Sequence, residues 1–244
     1  MAKLLINNNV VYCEKSDKFK TISINMLSFN PFVKTHASER TVLAEILSKS
    51  NKFYPKTQDF SIYCQELYDL AFSVKNGRLG RTTTFSYTVN IINPRYIGSD
   101  NSLLIEAMKL LNDCIMHPDI TLEKVELEKR ILKYDLENVY NKKTQYAYQQ
   151  FIKTMFENEL ISNRVNGEIS DVENVTLDSV IDTYNEILNY PRVFYVTGDI
   201  EEEDLIKAFE EIKLPVVTND LSNLELIDTE TKEVEKVKEV IEEK

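Results

Sequence analysis

Apolar residues recur at helical spacing from Thr121 to Glu159, a stretch that contains no glycine or proline. The first stripe consists of Leu122, Val125, Leu132, Leu136 and Val139. Thr121 is the predicted N-cap, and the charged side chains between the stripe residues are expected to be solvated: Glu123, Lys124, Glu126, Glu128, Lys129, Arg130 and Lys133. After a polar break at 141–144, a second stripe contains Ala147, Phe151 and Met155, with Tyr148, Ile152 and Phe156 alongside. The pattern predicts one long helix or two nearly continuous ones, packed across a sheet.

Alternation of apolar and polar residues predicts the strands of that sheet at 10–12, 19–29, 72–74, 82–92 and 193–196. In 19–29, Ile22, Ile24 and Met26 share one face, and in 82–92 the same holds for Phe85, Tyr87, Val89 and Ile91. We expect the two sets to point into one core. Asn76-Gly77 and Gly80 are predicted to join the strands at 72–74 and 82–92 as a hairpin.

The remaining periodic segments predict helices at 35–50, from a Thr57 cap onward, and at 101–116, 176–189 and 203–212. This order of elements favours an α+β fold, with helices covering a mostly antiparallel sheet. We expect one domain over 1–215, built from two αβ portions at roughly 1–100 and 101–215. Segment 216–244 is interpreted as an acidic linker toward a second half.

Composition narrows the possible functions. The chain has 244 residues, is 43% hydrophobic and carries a net charge of −11. Residues 201–244 hold fifteen acids against six bases, and no basic face is available for nucleic acid. No apolar run is long enough to span a membrane, and no signal peptide is evident. Three widely spaced cysteines, Cys13, Cys64 and Cys114, suit a reducing cytoplasm rather than disulfides or a catalytic thiol.

Several short motifs, in order along the chain, give the sequence a family resemblance. They are Lys52–Pro55, Leu67–Val74, Val125–Lys129 with Asn141–Lys143, Arg164–Gly167 and Tyr195–Asp199. Together they resemble the M16 (insulinase and pitrilysin-like) metallopeptidases over roughly residues 10–215. The sequence is most similar to the bacterial M16-like proteins that are associated with elongation factor P aminopentanol modification and lack the zinc motif. The resemblance implies an M16 peptidase-like N-terminal half.

Active members of that family carry H-x-x-E-H on the first helix, where two histidines bind zinc and the glutamate activates water. The resemblance places the five motif positions on Thr41, Val42, Leu43, Ala44 and Glu45, which include neither histidine nor the central glutamate. It places the further carboxylate ligand near Asp135, with Glu137 as an alternative register. We therefore expect no catalytic residue, no metal ligand and no cofactor, and the sequence does not identify peptide-binding residues.

One local sequence imitates the motif. His36 and Glu39 are spaced as in H-x-x-E, but Arg40 follows where the second histidine would stand. A guanidinium removes a coordination bond and adds a fixed positive charge beside the cation. An active zinc endopeptidase with a site displaced to His36, Glu39 and His117 is therefore an alternative, and a pure interaction or scaffold module is another. The favoured hypothesis is a cytoplasmic, non-catalytic protein that pairs with an M16-like subunit, or with its own C-terminal half, to hold peptides.

Overall fold

The computed structural model describes residues 1–98, 102–157 and 159–218, so most of the predicted linker lies outside the described residues. A six-stranded sheet forms the base of the fold. Its strands are β1 (Ala2–Ile6), β2 (Asn9–Lys15), β3 (Thr21–Pro31), β4 (Ala71–Leu79), β5 (Thr82–Ile92) and β6 (Arg192–Gly198). They lie in the order β1-β2-β6-β3-β5-β4, antiparallel except for the β2–β6 pair. The sequence pattern does not predict strand β1.

The prediction that the two alternating strands point into one core is confirmed. Strand β3 runs antiparallel to β5, with Ile24 opposite Val89 and Met26 opposite Tyr87. All four side chains are buried on one face of the sheet, whereas the residues between them are half-buried. This face supports the helices, and the α+β fold predicted from the sequence is therefore confirmed.

Eight α-helices are assigned in the described residues: α1 (Ala37–Leu47), α2 (Thr57–Glu66), α3 (Ser102–Met116), α4 (Leu122–Glu137), α5 (Lys143–Met155), α6 (Ile169–Glu173), α7 (Leu177–Asn189) and α8 (Glu202–Ala208). Helices α1 and α3 pack on the sheet through β4 and β5. Their buried faces, which include Leu43, Leu47, Leu104 and Leu111, complete the hydrophobic core. None of the described helices is long and apolar enough to cross a bilayer.

The long helical region differs from its prediction in where it packs. A 3-10 turn, Asn138–Asn141, separates α4 from α5, and the main helical neighbours of α4 are α1, α6 and α7 rather than the strands. Val125 and Leu132 are buried, but Leu122 is 58% exposed, and α5 buries no residue. The predicted packing across the sheet is thus wrong: α4 forms a second layer over α1. An apolar stripe predicts burial but does not identify the surface that buries it.

Three local predictions also need correction. Strand β4 continues through Asn76 and Gly77, and the chain turns at Gly80–Arg81, where Gly80 has a φ of +60°. Thr57 is the first residue of α2, and the N-cap is Lys56 rather than Thr57. Helix α8 ends at Ala208 and continues as a 3-10 turn. The predicted N-cap at Thr121 is confirmed by the bond that its side chain accepts from the Lys124 N–H.

Candidate functional site

A cavity of about 1000 Å³ opens between α1, α4, α5 and the loop 160–168. One wall is apolar and comes mainly from α4, through Ile131, Leu132 and Leu136. Helix α1 and the loop contribute most of the remaining lining, including the polar side chains of Thr41, Glu45 and Asn163. Because α4 rests on α1 and not on the sheet, this space lies at the edge of the helical layer, next to strand β4.

Three of the five positions that the family resemblance assigns to the zinc motif line this cavity. Thr41, Val42 and Glu45 line it from α1, and Asp135 lines it from α4. Glu137, the alternative register, is not among the lining residues. The α1 positions and the α4 position that the resemblance assigns therefore share one surface.

Lys49 holds the carboxylates of α1 and α4 together at this surface. Its Nζ lies 2.8 Å from both carboxylate oxygens of Glu128 and 2.9 Å from Oε2 of Glu45. The Glu128 side chain is only 6% exposed, so its charge is compensated chiefly by this ammonium group. Burial disfavours the charged Lys49, but the hydrogen bonds to Glu128 and Glu45 outweigh it and raise the pKa of Lys49.

These residues do not fit a catalytic zinc ion. Zinc in peptidases needs three protein ligands, and Thr41 stands where the first histidine would be. No group of three histidine, cysteine, aspartate or glutamate side chains that could hold a metal occurs within the described ranges. Two carboxylates of the lining, Glu45 and Glu128, already share the Lys49 ammonium group.

The displaced-site alternative is also not assembled by the fold. His36 precedes α1, with Nδ1 3.8 Å from a carboxylate oxygen of Glu186. His117 lies beyond the other end of α1, where its carbonyl accepts a bond from the Lys52 N–H. Helix α1 has eleven residues and is therefore about 16 Å long, which separates the two histidines.

Strand β4 fastens the loop that closes the cavity. The Arg78 guanidinium donates to the carbonyls of Leu160, Ile161 and Asn163 at 2.7–2.9 Å. Asn76 Nδ2 donates to the Val165 carbonyl at 3.0 Å and to Thr41 Oγ1 at 3.2 Å. Burial lowers the pKa of Arg78, and no carboxylate of the described residues opposes that effect. A partly desolvated cation without a counter-ion in the described part of the chain therefore holds the loop.

The outer side of β4 borders the same space. Among the described strands, β4 pairs only with β5, so its other edge has no neighbouring strand there. At Val74 the Ser48 hydroxyl covers this edge by accepting from the Val74 N–H at 2.8 Å, and it lies 3.2 Å from the Val74 carbonyl. Beyond Val74 the edge runs toward Arg78 and Gly80, which line the cavity.

Sequence reasoning missed three residues of this site: Lys49, Arg78 and Glu128. Because charged residues surround Glu128 on α4, the sequence predicts that it is solvated, yet it is buried. Its position relative to Leu132 and Asp135, at steps of four and seven residues, places all three on one helical face. That spacing was the available signal, since a carboxylate within an apolar stripe requires a buried partner.

The sequence and the fold of this chain are similar to those of known proteins. No protein-family model matches the chain. It is 28% identical over 202 residues to a Bacillus subtilis protein named "Probable inactive metalloprotease YmfF", covering 80% of this chain and 47% of that protein. A conserved protein from Enterococcus faecalis superposes with a TM-score of 0.81 at 22% identity, over 90% of this chain and 53% of that one.

Two further solved structures define which part is shared. The first half of the periplasmic protease PqqL from Escherichia coli has a TM-score of 0.71 at 13% identity, covering 88% of this chain and 46% of that one. A peptidase M16 inactive domain from Pseudomonas fluorescens gives 0.66 at 10% identity, covering 89% and 52%. The chain thus spans about half the length of its relatives. The resemblance to the M16 metallopeptidases is confirmed: this is an M16-like fold, corresponding to one half.

Proposed function

We propose that this chain is a non-catalytic M16-like half that pairs with another M16-like half or subunit and holds a peptide segment in the cavity beside β4. The observation that carries the proposal is the Lys49 ammonium group bonded to Glu45 and Glu128 at the surface to which the family resemblance assigns the zinc motif. A fixed organic cation stabilises the two carboxylates, but it offers no open coordination position for water.

Absence of catalysis is supported by two further observations. The sequence contains no H-x-x-E-H, and its two histidines lie at opposite ends of α1. The Bacillus subtilis relative is itself named as a probable inactive metalloprotease. We extend that property to this chain, together with a cytoplasmic location in which Cys13, Cys64 and Cys114 stay unpaired.

Peptide binding is supported by the position of the cavity next to an edge strand. An extended peptide can add to the free side of a strand through main-chain hydrogen bonds while its side chains enter adjacent pockets. Strand β4 offers such an edge between Val74 and Gly80, and the apolar wall of α4 faces the same space. The arrangement suits a bound segment in extended conformation.

Pairing is supported by an uncovered apolar face on α5. This helix is amphipathic, yet Tyr148, Phe151 and Met155 are each close to half exposed or more. Apolar residues at helical spacing that remain in water mark a surface that another body covers. Since the relatives are about twice as long as this chain, a second half is the natural cover, and segment 216–244 is the proposed connection to it.

The association is tested by light scattering. The chain is mixed with an M16-like half, either the C-terminal half of the same protein or a catalytic homologue encoded beside it. We expect a complex with the summed mass, and we expect Phe151→Ser to weaken it. Leu5→Ser is the matched control, because Leu5 is 73% exposed but lies on β1 at the other edge of the sheet. A chain that stays monomeric with every such half contradicts the pairing.

A further inference from the structure

The charges that line the cavity differ in sign from the chain as a whole. Among the described residues, its lining contains five cationic side chains and four carboxylates, and Lys49 beneath them adds a further cation. The whole chain, by contrast, carries a net charge of −11. A locally positive concave surface on an acidic protein attracts anionic ligands.

The carboxylates of the lining are already neutralised by neighbouring cations. Glu45 and Glu128 share Lys49, an oxygen of Asp135 lies 3.9 Å from Lys142 Nζ, and an oxygen of Glu168 lies 3.8 Å from a guanidinium nitrogen of Arg164. Each anionic group of the lining therefore has a cation beside it. Positive charge on a ligand would have to compete with these cations for every carboxylate.

Three cations of the lining have no such partner among the described residues. Lys34 and Lys153 are exposed, and no carboxylate in the described part of the chain is within salt-bridge distance of them. Arg78 donates to main-chain carbonyls and is partly desolvated. A carboxylate entering the cavity would supply the counter-ion that the described residues do not provide for these three cations.

The walls add contacts for an extended chain. Ile131, Leu132 and Ile152 form an apolar surface, and the Tyr148 side chain also lines the cavity. Gln149 Oε1 is buried in the lining without a hydrogen-bond donor among the described residues. A main-chain N–H of a bound segment would satisfy this acceptor, because buried polar atoms are normally paired.

We propose that the segment held in this cavity is an acidic peptide, with carboxylates directed to Lys34, Arg78 and Lys153 and an apolar side chain against α4. This inference rests on the proposed peptide-holding function and deepens it by naming the chemical class of the ligand. It concerns peptides alone, since the free edge of β4 is suited to a main chain rather than to a small anion.

The test uses three fluorescein-labelled peptides of about ten residues with identical apolar positions. Their remaining positions are all glutamate, all glutamine or all lysine, and binding is followed by fluorescence anisotropy. We expect the glutamate peptide to bind about ten-fold more tightly than the glutamine peptide, the lysine peptide to bind most weakly, and added salt to reduce the difference.

Charge-reversal variants locate the effect. Lys34→Glu and Lys153→Glu should each weaken binding of the glutamate peptide by about two- to five-fold and leave the glutamine peptide unchanged. Lys18→Glu is the matched control: Lys18 is exposed and lies near the opposite end of β3 from Lys34, about 35 Å of strand away. Lys18→Glu should leave the affinity for both peptides unchanged.

The two levels of the proposal fail differently. Equal binding of the glutamate and glutamine peptides overturns the acidic class while leaving the peptide-holding function intact. The acidic class is also overturned if Lys18→Glu weakens binding as much as the cavity variants do. If none of the three peptides binds, the proposed function itself is overturned, and this inference falls with it.

Discussion

Replacing Lys49 by methionine tests the ion pair beneath the cavity. The substitution keeps an unbranched side chain of similar length but removes the ammonium group that bonds to Glu128 and Glu45. Glu128 would then be a buried carboxylate without its counter-ion. Removing one partner of a buried ion pair is costly because the remaining charge stays desolvated.

The size of the effect follows from the exposure of the two partners. Loss of one member of a fully buried pair costs about 3–5 kcal/mol, whereas an exposed pair is worth about 0–1 kcal/mol. Glu128 is buried but the Lys49 side chain is 35% exposed, so water partly replaces the lost contact. We therefore expect Lys49→Met to lower the free energy of unfolding by about 2 kcal/mol. Glu45→Gln, at an exposed carboxylate, should cost less than about 1 kcal/mol.

Urea unfolding of the single variants and of Lys49→Met/Glu128→Gln measures the coupling. The double variant should recover part of the loss, because the unpaired charge is gone. The pKa of Lys49 is raised in the folded state, so its contribution is fully present below the ordinary pKa of 10.5 and is lost as pH rises through the folded value. The difference between wild type and Lys49→Met should thus be constant between about pH 7 and pH 9 and shrink above about pH 10.5. If Lys49→Met loses no more stability than Glu45→Gln, the buried pair does not contribute as argued.

Three further predictions concern other parts of the chain. Glu39→Gln should stabilise the protein at pH 7 by about 1 kcal/mol, because burial raises the pKa of Glu39 and its Oε2 has no partner among the described residues. In chemical denaturation, this gain should become smaller as pH falls, because the wild-type carboxylate then takes up a proton. Gly167→Ala should lower stability by about 3 kcal/mol, because Gly167 has a φ of +79° and a Cβ would lie 2.1 Å from Ser38 Oγ. Gly98 has a φ of +65°, but no atom of the described residues beyond its chain neighbours lies within 4 Å of the added Cβ, so Gly98→Ala should cost only about 1 kcal/mol. Equal losses for the two variants would contradict the packing argument. Elemental analysis after dialysis should find no stoichiometric zinc, whereas one zinc per chain that disappears in His36→Ala would overturn the non-catalytic interpretation.

The sequence predicted the sheet core well because the two-residue period of a strand determines which side chains share a face. Side chains two residues apart must share a face, so Ile22 and Ile24 could be placed together with Val89 and Ile91 before any pairing was known. The structure adds the register of the two strands, which pairs Ile24 with Val89. Strand β1 was missed because its five residues hold too short a pattern.

The helical layer was predicted less well, for a physical reason. A stripe such as that of α4 states that one face is buried but not whether a sheet or another helix covers it. The site depends on that distinction. Lys49 and Glu128 are far apart in the chain and meet only because α4 packs on α1. Arg78, likewise, acquires its role from a loop eighty or more residues away.

Mass spectrometry of retained peptides tests most directly whether the cavity holds peptides without cleaving them. The chain is incubated with a pool of peptides of mixed sequence, unbound peptides are removed by gel filtration, and the masses of the retained ones are recorded with and without a metal chelator. We predict that peptides of unchanged length are retained, that acidic ones are enriched, and that the chelator has no effect. Shortened products that disappear when the chelator is added would show instead that the chain is a metallopeptidase.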